Sequence, residues 1–241
     1  MSSHWMDVCA HFMDSGEYNE AALRLDEILK DEPANDHAWY LKGIALRKMG
    51  EFAGSLEALD RALEINSSNP DYWRNRGLAL SNLGRHSEAV ESCNKAIALD
   101  PAQARTWIIR GFSFHCMGSY DDALSCYARA IELNPMGPDG RRAWNNRGAA
   151  LDNLHRHEEA IESYDEAIMI DPFDLYAWNN KGVALSALRR HEEAVRCFEK
   201  AIEIEPGYAT AWKNRGIGLK ALGLEAEAEE SLQRAKDLGL D

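Results

Sequence analysis

The sequence predicts an all-α fold made of seven stacked helical hairpins, and three observations carry that expectation. Seven tryptophans, Trp5, Trp39, Trp73, Trp107, Trp144, Trp178 and Trp212, stand 34 residues apart, or 37 between the fourth and fifth. A fixed period of this size marks supersecondary units that stack on one another. Only 7 prolines occur in 241 residues, against many Ala, Leu and Glu, which favours helix over sheet or disorder. Within each period the apolar and small residues recur at helical spacing.

Numbering each repeat so that Trp is position 4 places the repeats at 2–35, 36–69, 70–103, 104–140, 141–174, 175–208 and 209–241, a single array over 2–241. The fourth carries three extra residues. Helix A comes first. Its positions 4, 8 and 11, for instance Trp107, Gly111 and Phe114, share one stripe. The Trp column is expected in the core. A turn follows near position 15, where Gly16, Gly50, Gly84, Gly118 and Gly223 can take the left-handed conformation that ends a helix. Helix B carries positions 20, 24 and 27 on one face. Position 20 is Ala in most repeats (Ser55 in the second), and position 27 is Ala after Ile28. Small residues at 8, 20 and 27 let the axes approach while Leu, Cys, Tyr or Phe at 24 fills the gap. Proline at position 32 (Pro33, Pro101, Pro135, Pro172, Pro206) stops helix B. The extra residues fall in Pro135-Met136-Gly137-Pro138-Asp139-Gly140, whose two prolines predict the longest inter-repeat turn and early proteolytic nicking there. One hairpin cannot bury both its faces, so the units must stack into a solenoid.

The columns Trp at 4, Gly at 8, Ala at 20, an aromatic or Leu at 24, Ala at 27 and Pro at 32 resemble the tetratricopeptide repeat family over essentially the whole chain. The resemblance implies a right-handed superhelix of seven repeats acting as a non-catalytic protein–protein interaction scaffold. It also implies an extended peptide held in a concave groove lined by positions 2, 5, 6, 9, 12 and 13 of helix A. At position 6 stand Asn75, Asn146, Asn180 and Asn214, and at position 5 Arg74, Asn145, Asn179 and Lys213. An amide side chain can accept from a peptide N–H and donate to a C=O whatever the peptide's sequence. The alternative is that these asparagines close a local hydrogen-bond network within the fold. Position 9 is apolar throughout, and the floor is expected to be largest around Leu78, Ile108 and Phe112. Arg105 and Arg142 at position 2, with Arg74, would receive an acidic residue or a free carboxylate; position 12 adds Arg47, His115 and Lys220. The carboxylate clamp of chaperone-binding members is not reproduced. Starting from the third repeat, Arg74 is followed by Leu78 and Ile109 where asparagines are needed.

Charge and cysteine usage bound the remainder. The net charge is -13, which argues against nucleic acid as a partner. The A helices are nevertheless net positive, so the rest of the chain is strongly acidic. Part of the positive charge is a ladder at position 7: Lys42, Arg76, Arg110, Arg147, Lys181 and Arg215. These side chains are expected to lie on apolar neighbours and meet helix B carboxylates. Arg110 and Arg147 are taken as ion-pair members. Mean hydropathy is -0.46 and no apolar run reaches membrane-spanning length, so no membrane partner is expected. The start of the chain shows no signal peptide, and five dispersed cysteines (Cys9, Cys93, Cys116, Cys126, Cys197) fit a reduced, cytoplasmic protein. His86, His157 and His191 share position 17 with Tyr18, Phe52 and Tyr120, and read as turn-packing residues rather than metal ligands. No phosphate loop or catalytic motif is present, so neither a cofactor nor enzyme activity is expected. The peptide-binding scaffold would be a monomer or weakly self-associating. The alternative is an assembly module that self-associates end to end, or a regulator docked on a catalytic partner.

Overall fold

The computed structural model describes residues 3–240, with side chains from Trp5 onward. The described residues form fourteen α-helices and no strand. They gather into two compact bodies, Met1–Gly118 and Ser119–Asp241. The N-terminal body holds α1 (Ser3–Asp14), α2 (Tyr18–Asp31), α3 (Asp36–Lys48), α4 (Phe52–Ile65), α5 (Pro70–Asn82), α6 (His86–Leu99) and α7 (Ala104–Cys116). The C-terminal body holds α8 (Tyr120–Leu133), α9 (Pro138–Asn153), α10 (His157–Ile170), α11 (Leu175–Ala187), α12 (His191–Ile204), α13 (Ala209–Ala221) and α14 (Glu225–Asp237). Odd-numbered helices are the A helices and even-numbered ones the B helices.

Helix starts follow the sequence period. Asn35, Asn69 and Asp174 cap α3, α5 and α11, each accepting from a backbone N–H of the first turn at 2.9–3.1 Å. Each B helix begins at position 17, the place of the three histidines. His157 Nδ1 lies 2.9 Å from Asp152 Oδ1, whereas Nδ1 of His86 and of His191 is buried without a hydrogen-bond partner. Position 15 is left-handed in both bodies. Glycine supplies it five times, but His155 and Arg189 adopt φ of 58° and 60° in the fifth and sixth repeats.

The core is a pairing of columns. A Cβ added to Gly43, Gly77, Gly148, Gly182 or Gly216 would fall 2.5–2.9 Å from the position 24 side chain of the same repeat, Leu59, Cys93, Tyr164, Phe198 or Leu232. Helix A can therefore press its backbone against that side chain only without a Cβ. Leu25, Leu59, Cys93, Tyr127, Tyr164 and Phe198 are correspondingly buried. Tyr164 keeps its hydroxyl satisfied by donating to Asp152 Oδ2 at 2.8 Å.

Three expectations are corrected. The tryptophans are half-buried rather than central. Five of them, Trp39, Trp73, Trp107, Trp178 and Trp212, donate their indole N–H to the carbonyl six residues upstream, at 2.8–3.0 Å. That carbonyl belongs to position 32, so the ring ties helix A to the loop preceding it. An indole has an apolar body and one donor, which suits such a rim position better than the middle of a core. The insertion, secondly, does not lengthen a loop. All six inter-repeat loops span four residues, and the extra residues extend α9 to 16 residues at its N-terminus. Pro138 occupies the first helical turn, where its missing N–H removes no helical bond.

Thirdly, four members of the position 7 ladder meet helix B carboxylates as expected, but Arg110 and Arg147 do not. Lys42 meets Asp26 at 2.5 Å, Arg76 meets Asp60 at 2.6 Å, Lys181 meets Asp165 at 2.5 Å and Arg215 meets Glu199 at 3.0 Å. Each partner lies sixteen residues upstream on the preceding B helix. For Arg110 that place is filled by Asn94, and for Arg147, where the three extra residues put the equivalent place nineteen residues upstream, by Ala128; neither carries a charge. Those two arginines lean on rings instead. Arg110 lies 5.5 Å from Trp107 and 5.3 Å from Phe114, and Arg147 lies 5.4 Å from Trp144 and bonds Ser163 Oγ at 2.7 Å.

Candidate functional site

In the N-terminal body the predicted residues Arg74 and Asn75 on α5 are already engaged. Arg74 Nη1 binds Asp71 Oδ1, one helical turn away, and also Gln103 Oε1; Gln103 Nε2 in turn reaches Asp71 Oδ1 at 3.2 Å. Asn75 is buried, donating to the Asp71 carbonyl at 2.9 Å and lying 3.4 Å from the Tyr40 hydroxyl. Leu78 is half-buried and Arg105 exposed. Ile108 is buried, with 8% of its surface exposed, whereas Phe112 on the same helix is 44% exposed. The Asp71–Arg74 pair could have been read from the sequence, because residues three apart on a helix face each other.

The C-terminal body assembles an amide ladder. Asn180 Nδ2 on α11 donates to Asn145 Oδ1 on α9 at 3.2 Å, and Asn214 Nδ2 on α13 donates to Asn179 Oδ1 on α11 at 2.9 Å. Each bond runs from position 6 of one repeat to position 5 of the repeat before it. Asn75 and Tyr40 repeat the same relation in the N-terminal body. Asn179 is buried, while Asn145, Asn146, Asn180, Lys213 and Asn214 are half-buried and Arg142 is exposed. The local-network alternative thus accounts for one donor on Asn180 and one on Asn214. A primary amide has two donors and an acceptor oxygen with two lone pairs, so capacity remains at both. Asn146 stands outside these pairs.

Apolar surface on the same face is larger than the sequence reading placed it. Val183 at position 9 of α11 and Ile217 at position 9 of α13 are 45% and 56% exposed. Tyr176 at position 2 of α11 is exposed and meets the Tyr208 ring edge-on at 5.8 Å. Their signal was the uniformly apolar position 9 column, whose members are half-buried or exposed in every repeat. Two cavities of the N-terminal body, of 580 and 640 Å³, open elsewhere, beside Trp73 with Arg76 and beside Trp39 with Lys42. Among the described residues, no helix is long and apolar enough to cross a membrane.

Comparison with known proteins gives the repeat its family. One model of the tetratricopeptide repeat matches residues 11–70, 40–104 and 117–174, and a second matches 175–208. No curated protein matches the chain. Among solved structures, a tetratricopeptide repeat protein from Parabacteroides merdae ATCC 43184 has a TM-score of 0.77 at 19% identity, over 98% of this chain and 93% of that one. MamA has a TM-score of 0.61 at 29% identity, over 69% of this chain and 96% of that one. YrrB, described as a TPR protein with an unusual peptide-binding site, has a TM-score of 0.59 at 23% identity, over 76% of this chain and 93% of that one. The model matches alone extend over more than half the residues, in phase with the paired helices, and the chain belongs to the tetratricopeptide repeat family.

Proposed function

We propose that this protein is a non-catalytic scaffold that holds an extended peptide against its A-helix face. Its fold is that of an interaction module, and YrrB, a neighbour in fold, is described as having a peptide-binding site. The observation that carries the proposal is the run of half-buried amides on α9, α11 and α13, which keep unused donors and acceptors beside exposed Val183 and Ile217. Amides would grip the peptide main chain, and the apolar residues would receive side chains. Asn146, Asn180, Asn214, Asn145, Asn179 and Lys213 form the binding stretch of the C-terminal body. Phe112 and Leu78 offer apolar contact in the N-terminal body.

Asn146 gives the cleanest test, because Asn180 also supports the ladder. A random peptide library displayed on phage is selected against the purified protein, and affinities of the enriched peptides are measured by fluorescence anisotropy. Asn146→Ala removes one or two neutral hydrogen bonds of about 0.5–1.5 kcal/mol each. Affinity should fall roughly threefold to tenfold with an unchanged melting temperature. If no peptide is enriched, or Asn146→Ala binds as tightly as the wild type, the site assignment fails.

A further inference from the structure

Across α11 and α13 the amide row lies between two apolar walls. On α11, Tyr176, Asn180 and Val183 stand at i, i+4 and i+7, along one stripe of the helix. On α13, Asn214 and Ile217 repeat the last two places, and Tyr208 stands at the cap of the same helix. The Tyr176 and Tyr208 rings meet edge-on at 5.8 Å and close one wall, while exposed Val183 and Ile217 make the other. An exposed apolar patch bordered by polar groups marks a binding surface. Between the walls, Asn180 and Asn214 each spend one N–H on the neighbouring repeat, at 3.2 and 2.9 Å, and keep a second.

The spacing of the helices selects the conformation of a ligand that crosses them. Those amide bonds join α11 directly to α9 and to α13, and helices in such contact have axes about 8–10 Å apart. Equivalent groups of successive repeats therefore recur at that interval. A β-strand returns a side chain to the same face after two residues, about 6.6 Å, and its third residue, near 10 Å, points the opposite way. A polyproline II helix returns to the same face every third residue, after about 9.3 Å. Only the second matches the helix spacing. Polyproline II also leaves its carbonyls without internal partners, and proline brings no N–H of its own. A ligand of that kind asks its host for donors and for apolar rings, and this channel offers both.

We propose that the channel between the Tyr176–Tyr208 wall and the Val183–Ile217 wall binds a proline-rich segment in the polyproline II conformation, with an apolar residue at every third position. The proposal rests on the peptide-scaffold reading and narrows its ligand to one backbone conformation and one sequence period.

Fluorescein-labelled peptides titrated with the full chain, and followed by anisotropy, test it. The probe is four repeats of Leu-Pro-Pro. Its all-D form has the same composition and the opposite hand. Four repeats of Leu-Gly-Gly keep the period without the stiffness, and six repeats of Leu-Pro keep the stiffness without the period. The probe should bind saturably and about tenfold or more tighter than each of these three. Tyr176→Ala and Val183→Ser, both at exposed positions, should each weaken it about threefold or more with an unchanged melting temperature. Leu23→Ala, which removes an equally exposed apolar side chain from α2, should leave the affinity as it was. No saturable binding, equal binding of any of the three other peptides, or full affinity in both channel variants overturns the proposal. The peptide-scaffold reading fails separately, since phage-selected peptides of a different pattern that lose affinity in Asn146→Ala would still support it.

Discussion

His155 and Arg189 occupy a left-handed turn position that glycine fills in the other five repeats. For a residue with a Cβ that conformation costs roughly 1–2 kcal/mol, only part of which glycine gives back through its greater unfolded-state freedom. His155→Gly and Arg189→Gly should each raise stability by about 0.5–1 kcal/mol in urea unfolding; a loss in both would mean that the native side chains hold those turns. Asp36 supplies a pH-dependent contribution. Burial works against its carboxylate, but hydrogen bonds donated by Asn66 (2.8 Å) and the Tyr72 hydroxyl (3.1 Å) outweigh it and hold the pKa below the ordinary value. The sign follows from linkage: the stabilisation is complete above an ordinary Asp pKa of about 3.9 and is lost as pH falls through the lower folded value. Asp36→Asn should therefore cost about 1–2 kcal/mol at pH 7, and the gap to wild type should close near pH 2. A gap of equal size at both pH values would remove the carboxylate's charge from the explanation.

At the scale of elements, α9 is the informative helix. Gly140 lies in its added turn, and a Cβ there would stand 1.9 Å from the Asn134 carbonyl oxygen and 2.8 Å from that of Pro135. Backbone cannot swing aside as a side chain can, so Gly140→Ala should cost about 2 kcal/mol or more by displacing the first turn. Deleting residues 138–140 would leave Gly137 beside Arg141 and a helix of the same 13 residues as α11 and α13. The shortened protein should stay folded, and limited proteolysis of the wild type should show no preference for 134–140. Preferential cleavage there, with Gly140→Ala harmless, would restore the loop reading. That reading came from treating two prolines as breakers. Proline breaks a helix interior but is favoured at its first turn, and sequence alone could not say which side of the helix start Pro138 would take.

Across the whole chain, the tryptophan period and the Gly–Ala columns made the fold legible, because each column is a steric requirement of two helices in contact. Gly148 against Tyr164 and Gly182 against Phe198 show that requirement directly. The binding face was less legible, since its residues answer to neighbours one repeat away. Nothing local to Asn180 shows that it bonds Asn145. The missing charge opposite Arg110 and Arg147 was readable at position 25 of the preceding repeat, at Asn94 and Ala128, and needed only the pairing rule that the structure supplied. The tryptophan ties carry a consequence for protein engineering. An indole that must reach a carbonyl six residues back acts as a gauge on loop length, and any insertion between them forfeits a hydrogen bond at that junction. Ahead of Trp144 the gauge is already disengaged, because Pro135 lies nine residues back. A cargo sequence or fluorescent tag grafted into this protein belongs at the start of α9, the junction where length has already been allowed to drift.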